Sequence, residues 1–251
     1  MRIAAIYDIH GNLPALEAVL DEICRAEADV LVVGGDVLPG PMPSESMARL
    51  LAVDIPVHFI RGNGDREVLA AMRGEPGGAL PEQGRQAIQW TAQQLSSAEE
   101  RLLEGWPLTI RLETEALGAV LFCHATPRND TEIFTRLTPE DRLRAAFATA
   151  GSAAIVVCGH THMQFDRMIG DMRIVNAGSV GMPFGDPGAY WLLLGADVEL
   201  RRTDYDLAAA ADRIRKTPYP QAEEFAARNV LQPPTEAEIL KAFGRVELNG
   251  V

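Results

Sequence analysis

The chain has 251 residues, 47% of them hydrophobic, enough to bury one substantial core or a core with a small cap. Its 35 acidic residues against 23 basic ones give a formal charge of −12, which disfavours a nucleic-acid or anionic-membrane binder, since either needs a basic footprint. Phosphate-handling chemistry stays open, because a bound cation supplies positive charge locally.

Strands and helices alternate along the first part of the chain. The apolar run "MRIAAIYD" predicts a strand ending at Asp8, and residues 13 to 26 predict a helix with Leu16, Val19, Leu20 and Ile23 on one face. "ADVLVVGGD" repeats the strand design and ends at Asp36; a helix is expected from Ser44 to Ala52. "IPVHFI", Ile55 to Ile60, reads as a third strand, with His58 assigned an ordinary structural role. In the "RGNGDRE" that follows, Asn63-Gly64 is a hairpin-turn signal, yet "REVLAAM" reads as a helix start, with Asp65 the expected N-cap. Glu82 to Glu104 predicts one or two helices, part of a cap-like insertion at about 66–105.

Further on, "LGAVLFCHA" brings His124 to a strand end and "AAIVVCGHTH" does the same for Gly159 and His160. "MQFDRMIGDMRIVNAGSVG" predicts a hairpin turning at Gly170-Asp171, and "YWLLLGADVELRR" another strand pair. Amphipathic helices are expected at Asp204 to Arg215 and Glu236 to Val246, within a C-terminal extension of about 204–251. The early alternation means a largely parallel sheet, and the later strands a more antiparallel set. The whole is expected to be one α/β domain over 1–251. Cys24, Cys123 and Cys158 lie far apart beside apolar runs and read as small buried hydrophobes, not a disulfide framework or a cysteine zinc site. With no signal-peptide pattern and no apolar run of bilayer length, the expected location is the reducing cytoplasm.

Five strand ends each carry a metal-competent group, where open α/β sheets place their sites. Asp8 and His10 form D-x-H, and His160 and His162 form H-x-H. On an extended backbone each pair would face one way. Asp36 follows two glycines and Asn63 lies between two, where missing side chains allow sharp turns and close approach. Singly, such residues are ordinary caps and hydrogen-bonding groups. D-x-H, G-D, G-N, H and G-H-x-H in that order are together a specific pattern.

From Met1 to about Leu194 this pattern resembles the calcineurin-like metallophosphoesterases, whose signature stands here as "DIH", "GGD", "GNGD", "HA" at His124-Ala125 and "GHTH"; "NAGSVGMP" at 176–183 also resembles a segment common in small bacterial members. The resemblance implies two packed mixed β-sheets flanked by helices, in four layers. It implies two divalent metals bridged by Asp36, with Asp8, His10 and His162 completing one site and Asn63, His124 and His160 the other. Two ions roughly 3.5–4 Å apart clamp the attacking and leaving oxygens at phosphorus, and a metal-bridging hydroxide is the nucleophile. Mixed imidazole, carboxylate and amide ligands suit Mn²⁺, Fe or Zn²⁺ better than Mg²⁺ or Ca²⁺; the resemblance favours Mn²⁺.

Gly64 departs from the pattern: many members have a histidine there that protonates the leaving group, and glycine offers no general acid. Members without it favour phosphodiesters, so a small phosphodiester is the expected substrate. Asn12 is placed either to contact phosphate or to cap the helix beginning near Pro14, and Thr161 reads as a spacer. Arg66, Arg128 and the insertion remain candidate proton donors. The alternatives are a phosphomonoesterase or protein phosphatase, and a non-catalytic scaffold like the retromer subunit of this fold. A homo-oligomer is left open.

Overall fold

The computed structural model describes residues 1–246 and Leu248; the end of the expected extension, residues 247 and 249–251, lies outside the described residues. Two five-stranded mixed sheets form the body. In the first, β1 (Ile3–Ile6), β2 (Val30–Val33) and β3 (Val57–Phe59) run parallel. Strands β9 (Ala189–Leu194) and β10 (Val198–Thr203) extend it antiparallel on the β1 side. The second sheet contains β4 (Thr109–Thr114), β5 (Gly118–Cys123), β6 (Ile155–Cys158), β7 (Gln164–Ile169) and β8 (Met172–Ala177), in the order β4-β5-β6-β8-β7. Strands β5, β6 and β8 are parallel, and β7 and β8 form the expected hairpin around Gly170-Asp171.

Side-chain alternation with a period of two builds the layers. Ile3, Ala5 and Tyr7 face the second sheet and pack with Val120, Phe122, Ile155 and Val157. The intervening Ala4 and Ile6 face outward to helices α1 (Leu13–Arg25) and α2 (Pro43–Leu51). On the far side, Val156 and Ile174 pack against Leu143 and Phe147 of α6 (Glu140–Phe147). The result is helix, sheet, sheet, helix. A parallel strand buried on both faces must be apolar at every position, which is why these segments read as continuous runs.

Helices α3 (Asn63–Met72), α4 (Glu82–Gln94) and α5 (Ser97–Gly105) lie where a cap-like insertion is expected, and they do not stand apart from the body. Val68, Ile88 and Leu103 share the outer core with α1 and α2. The C-terminal part adds α7 (Leu207–Arg215), α8 (Ala222–Phe225), a π-helical turn (Ala226–Leu231) and α9 (Glu236–Phe243). Its Ala211, Ile214 and Phe225 join the same core. No described helix is long and apolar enough to cross a membrane.

Two local expectations need correction, and one agrees. Cys24 is exposed, because it lies one helical step past the buried Ile23 and turns off the apolar face. His58 is exposed on the edge strand β3, consistent with a structural role. Asp65 is not an N-cap: α3 begins at Asn63, and Asp65 is its third residue, reaching back to the Gly62 N–H.

Phe122 is fully buried between the sheets. Phe122→Ala should destabilise the chain by about 3–5 kcal/mol, read as a lower urea midpoint with unchanged slope. The exposed His58→Ala should stay within about 0.5 kcal/mol of wild type.

Candidate metal centre

The carboxyl ends of β1, β2, β5 and β6 and the first turn of α3 meet at one point. Asp8 and His10 follow β1, Asp36 follows β2, Asn63 opens α3, His124 follows β5, and His160 and His162 follow β6. The donor atoms of Asp8, His10 and His162 lie within 4.8 Å of one another, as do those of Asp36, His124 and His160. His160 and His162 therefore lie in different groups, the division the resemblance implies, although an extended backbone would turn them one way. The backbone at these residues is not that of a strand. Asp8, His10, Asp36, His160 and His162 all have φ between 47° and 67°. Among the described residues only Glu27 and Leu248 are other non-glycine residues with positive φ. The left-handed conformation costs roughly 1–3 kcal/mol per residue and persists where surroundings impose it, typically at functional sites.

The two groups touch. His10 Nε2 lies 3.3 Å from His162 Nε2, and Asp8 Oδ1 lies 3.3 Å from the same His162 atom. Asp36 reaches both sides: Oδ2 is 3.7 Å from His10 Nε2 and Oδ1 is 3.5 Å from His124 Nε2. Asp8 Oδ1 leans the same way, 3.9 Å from His124 Nε2. Asn63 Oδ1 is 3.1 Å from His124 Nε2.

Backbone carbonyls fix which imidazole nitrogen points inward. His162 Nδ1 donates to Met182 O at 2.7 Å and His124 Nδ1 to Gly34 O at 3.0 Å, so each leaves an Nε2 lone pair facing the centre. His160 donates through Nε2 to Thr131 O at 3.3 Å and turns its Nδ1 lone pair inward.

This donor set fits divalent cations. Asp8 Oδ1 is buried without a hydrogen-bond donor, while its Oδ2 accepts from the His160 N–H at 2.8 Å. The Asn63 carbonyl faces two imidazole lone pairs; turned over, its amide would donate to His124 Nε2 and His160 Nδ1 at 3.1 and 3.0 Å. A cation selects the carbonyl orientation, and a cation-free site favours the other. Charge agrees. Burial acts to lower the His124 pKa, yet the adjacent Asp36 carboxylate pushes it up to about 10. Burial and the His124 charge pull His160 down to about 4. Burial opposes ionisation of Asp36, but His124 and His10 hold its carboxyl below the ordinary range. Protons thus stand in for the positive charge that a metal supplies, and metal binding should release them.

Residues beyond the expected ligands hold the site. Asp65, fully buried, accepts from Asp36 N at 2.8 Å, Leu38 N at 3.0 Å and Gly62 N at 2.9 Å, tying the G-D loop to the G-N loop. Burial and the Asp36 carboxylate push its pKa up to about 8, a conflict that a cation on Asp36 relieves. Asn176 donates to Gly159 O at 2.7 Å and Thr161 Oγ1 at 3.1 Å, so Thr161 is an acceptor and not only a spacer. Ser179 Oγ donates to Asp8 O at 2.7 Å. Asn176 and Ser179 were visible only as part of "NAGSVGMP".

Asn12 is the cap of α1: its carbonyl accepts from Ala15 N at 3.3 Å and its amide donates to Gly181 O at 3.0 Å. Arg66 pairs with Asp130 at 2.8 Å and Glu67 at 2.7 Å, and Arg128 with Glu132 at 2.6 Å. These ion pairs raise both guanidinium pKa values, which makes either arginine a poor proton donor.

At residue 64 the space expected from a missing imidazole is filled. A Cβ there would lie 2.3 Å from Leu38 O and 3.0 Å from Pro39 Cδ, while the Gly64 N–H donates to Asp36 Oδ1 at 2.7 Å. Glycine is required by close approach. Gly64→Ala should therefore destabilise the chain by about 1–3 kcal/mol, and Gly64→His should do so without creating an efficient monoesterase. A Gly64→Ala variant with unchanged thermal midpoint would contradict this packing.

Residues 1–197 match the calcineurin-like phosphoesterase superfamily domain. An uncharacterized protein of Methanocaldococcus jannaschii is 28% identical over 239 residues, covering 87% of this chain and 94% of its own. Phosphodiesterase YfcE of Escherichia coli is 26% identical over 208 residues, covering 77% and 87%. The crystal structure of a metallophosphoesterase from Sphaerobacter thermophilus superposes with a TM-score of 0.67 at 27% identity, covering 90% of this chain and 99% of its own. With two mixed sheets in this arrangement and the match over residues 1–197, the chain belongs to the calcineurin-like phosphoesterase superfamily, a family of phosphoester hydrolases.

Proposed function

We propose that the chain is a dinuclear metal-dependent phosphoesterase that favours phosphodiesters over monoesters. Asp8, His10 and His162 would hold one divalent ion, Asn63, His124 and His160 the other, and Asp36 both. The observation that carries this reading is the convergence of buried lone pairs on two adjoining points, with one Asp36 oxygen turned toward each. Bound ions would supply Lewis acidity at phosphorus and acidify the attacking water. Mn²⁺ is favoured and Fe or Zn²⁺ would suit the same imidazole-rich donors. A small phosphoester is the proposed substrate, and residues 1–251 the working unit, placed in the cytoplasm.

The chain's own part is positioning. The carbonyls of Gly34, Thr131 and Met182 set the imidazole tautomers, and Asp65 fixes the loops carrying Asp36 and Asn63. The diester preference rests on charge, since neither ester is offered a proton donor. Gly64 carries no acid, and Arg66 and Arg128 are paired and too basic to donate. An ester with a poor leaving group, monoester or diester, then lacks a contribution worth about 10²–10⁴-fold. A diester's single negative charge also asks for fewer donors than a monoester dianion. The phosphodiesterase name of the Escherichia coli relative supports the same preference. Every ligand position of the motif is filled, which disfavours the scaffold reading.

With Mn²⁺ present, kcat/KM for an aryl diester should exceed that for the matching aryl monoester; a monoester preference would contradict the substrate assignment. Asp36→Asn should reduce turnover by more than the ~10–100-fold that outer-shell changes cost, with the chain still folded. Near-normal activity of that variant at saturating Mn²⁺ would remove Asp36 from the bridging role.

Chelation should abolish activity reversibly with no change in circular dichroism, because the inter-sheet core does not involve the site. Loss of secondary structure on chelation would show that the ions hold the fold.

A further inference from the structure

The family match ends at residue 197, yet the chain returns to the candidate centre after α8. Four contacts anchor the return. Pro234 O accepts from Gly185 N at 2.9 Å, and the Phe243 ring meets Phe184 edge-on with centroids 6.2 Å apart. Arg136 Nε donates to Glu236 Oε1 at 2.8 Å, and Leu248 N donates to Ile133 O at 2.9 Å.

The contacts fall on two loops, and each loop orients one imidazole of the H-x-H motif. Loop 182–186 carries Met182, whose carbonyl holds His162 Nδ1. In that loop Phe184 also stacks on the His162 ring, 5.1 Å between centroids and 23° between planes, and its N–H donates to His162 O at 3.3 Å. Loop 131–137 carries Thr131, whose carbonyl holds His160 Nε2. A continuous packed path thus runs from Phe243 through Phe184 to His162. A second runs from Glu236 through Arg136 along the loop to His160.

We propose that residues 232–246 are a clamp that sets the direction of His160 and His162, with Phe243 and Glu236 as positioning residues for metal binding. The proposal rests on the reading that these imidazoles hold divalent ions. Its physical basis is the weakness of the segment itself. Helix α9 has eight residues, none of them buried, so it is too short to be stable alone and is held by the contacts above. Only Ile239, Leu240 and Phe243 supply a half-buried apolar face. Such a unit loosens at lower free energy than the body. Loosening it should free both loops while the two sheets stay intact, and a misdirected imidazole binds metal less well.

The test is titration of the metal-stripped full chain with Mn²⁺, followed calorimetrically, for wild type, Phe243→Ala, Phe243→Tyr and Glu236→Gln. Thermal midpoints of the stripped proteins are measured alongside. Phe243→Ala should weaken Mn²⁺ binding by about 10-fold, the low end for outer-shell changes, with a midpoint within about 4 °C of wild type. Phe243→Tyr, which keeps the ring, should restore wild-type affinity, and Glu236→Gln should weaken binding less than Phe243→Ala. Wild-type isotherms in both Phe243→Ala and Glu236→Gln would overturn the clamp while leaving the metal centre standing. If Phe243→Ala fails to fold, Glu236→Gln decides alone, since the pair is partly exposed and its loss spares the core. A wild-type chain that binds no Mn²⁺ would instead sink the functional reading, and the clamp with it.

Discussion

Two carboxylates, Asp8 and Asp36, are buried side by side within 4 Å of three imidazoles, and that charge must be neutralised. An isolated buried carboxylate costs several kcal/mol even after relaxation. The surroundings do not remove the problem by hydrogen bonding, since Asp8 Oδ1 has no donor at all. Protonated histidines solve it in part, which is why His124 is pushed so far up. Divalent cations solve it better, because they satisfy every inward lone pair at once.

That requirement organises the loops. Strands β1 and β2 end in register in one sheet, as β5 and β6 do in the other, and the residues that follow bring their donor atoms together. Direction is then set residue by residue. Left-handed backbone at five of the candidate ligands turns the side chains off the strand axis. Asp65, Asn176 and Ser179 hold these strained turns through hydrogen bonds to backbone atoms. Gly64 belongs to the same packing, since Leu38 O occupies the space a side chain would need.

Much of this was legible in the sequence. An apolar run ending in Asp or His marks both a buried strand and its carboxyl end, so the two sheets and the positions of Asp8, Asp36, His124 and His160 could be read together. Apolar periodicity located α1 and α7, which Asn12 and Asp206 cap by accepting from the first turn. The left-handed turns were not legible, because Asp and His, though enriched among non-glycine residues at positive φ, adopt it too rarely to mark it as glycine does. Nor was the role of Asp65, whose partners Asp36 and Leu38 lie 29 and 27 residues away in the chain. A local cap was the only use visible to a reader of neighbours. The return of α9 was hidden for the same reason. Its amphipathic pattern foretold a helix, whereas the seat beside Phe184 depends on tertiary structure.

The central claim is that two divalent ions share Asp36, and it is tested most directly by electron paramagnetic resonance of the chain loaded with Mn²⁺. The account predicts two ions per chain and the spectrum of a spin-coupled pair, which Asp36→Asn converts to that of isolated Mn²⁺. One ion per chain, or two uncoupled ions in the wild type, would contradict it.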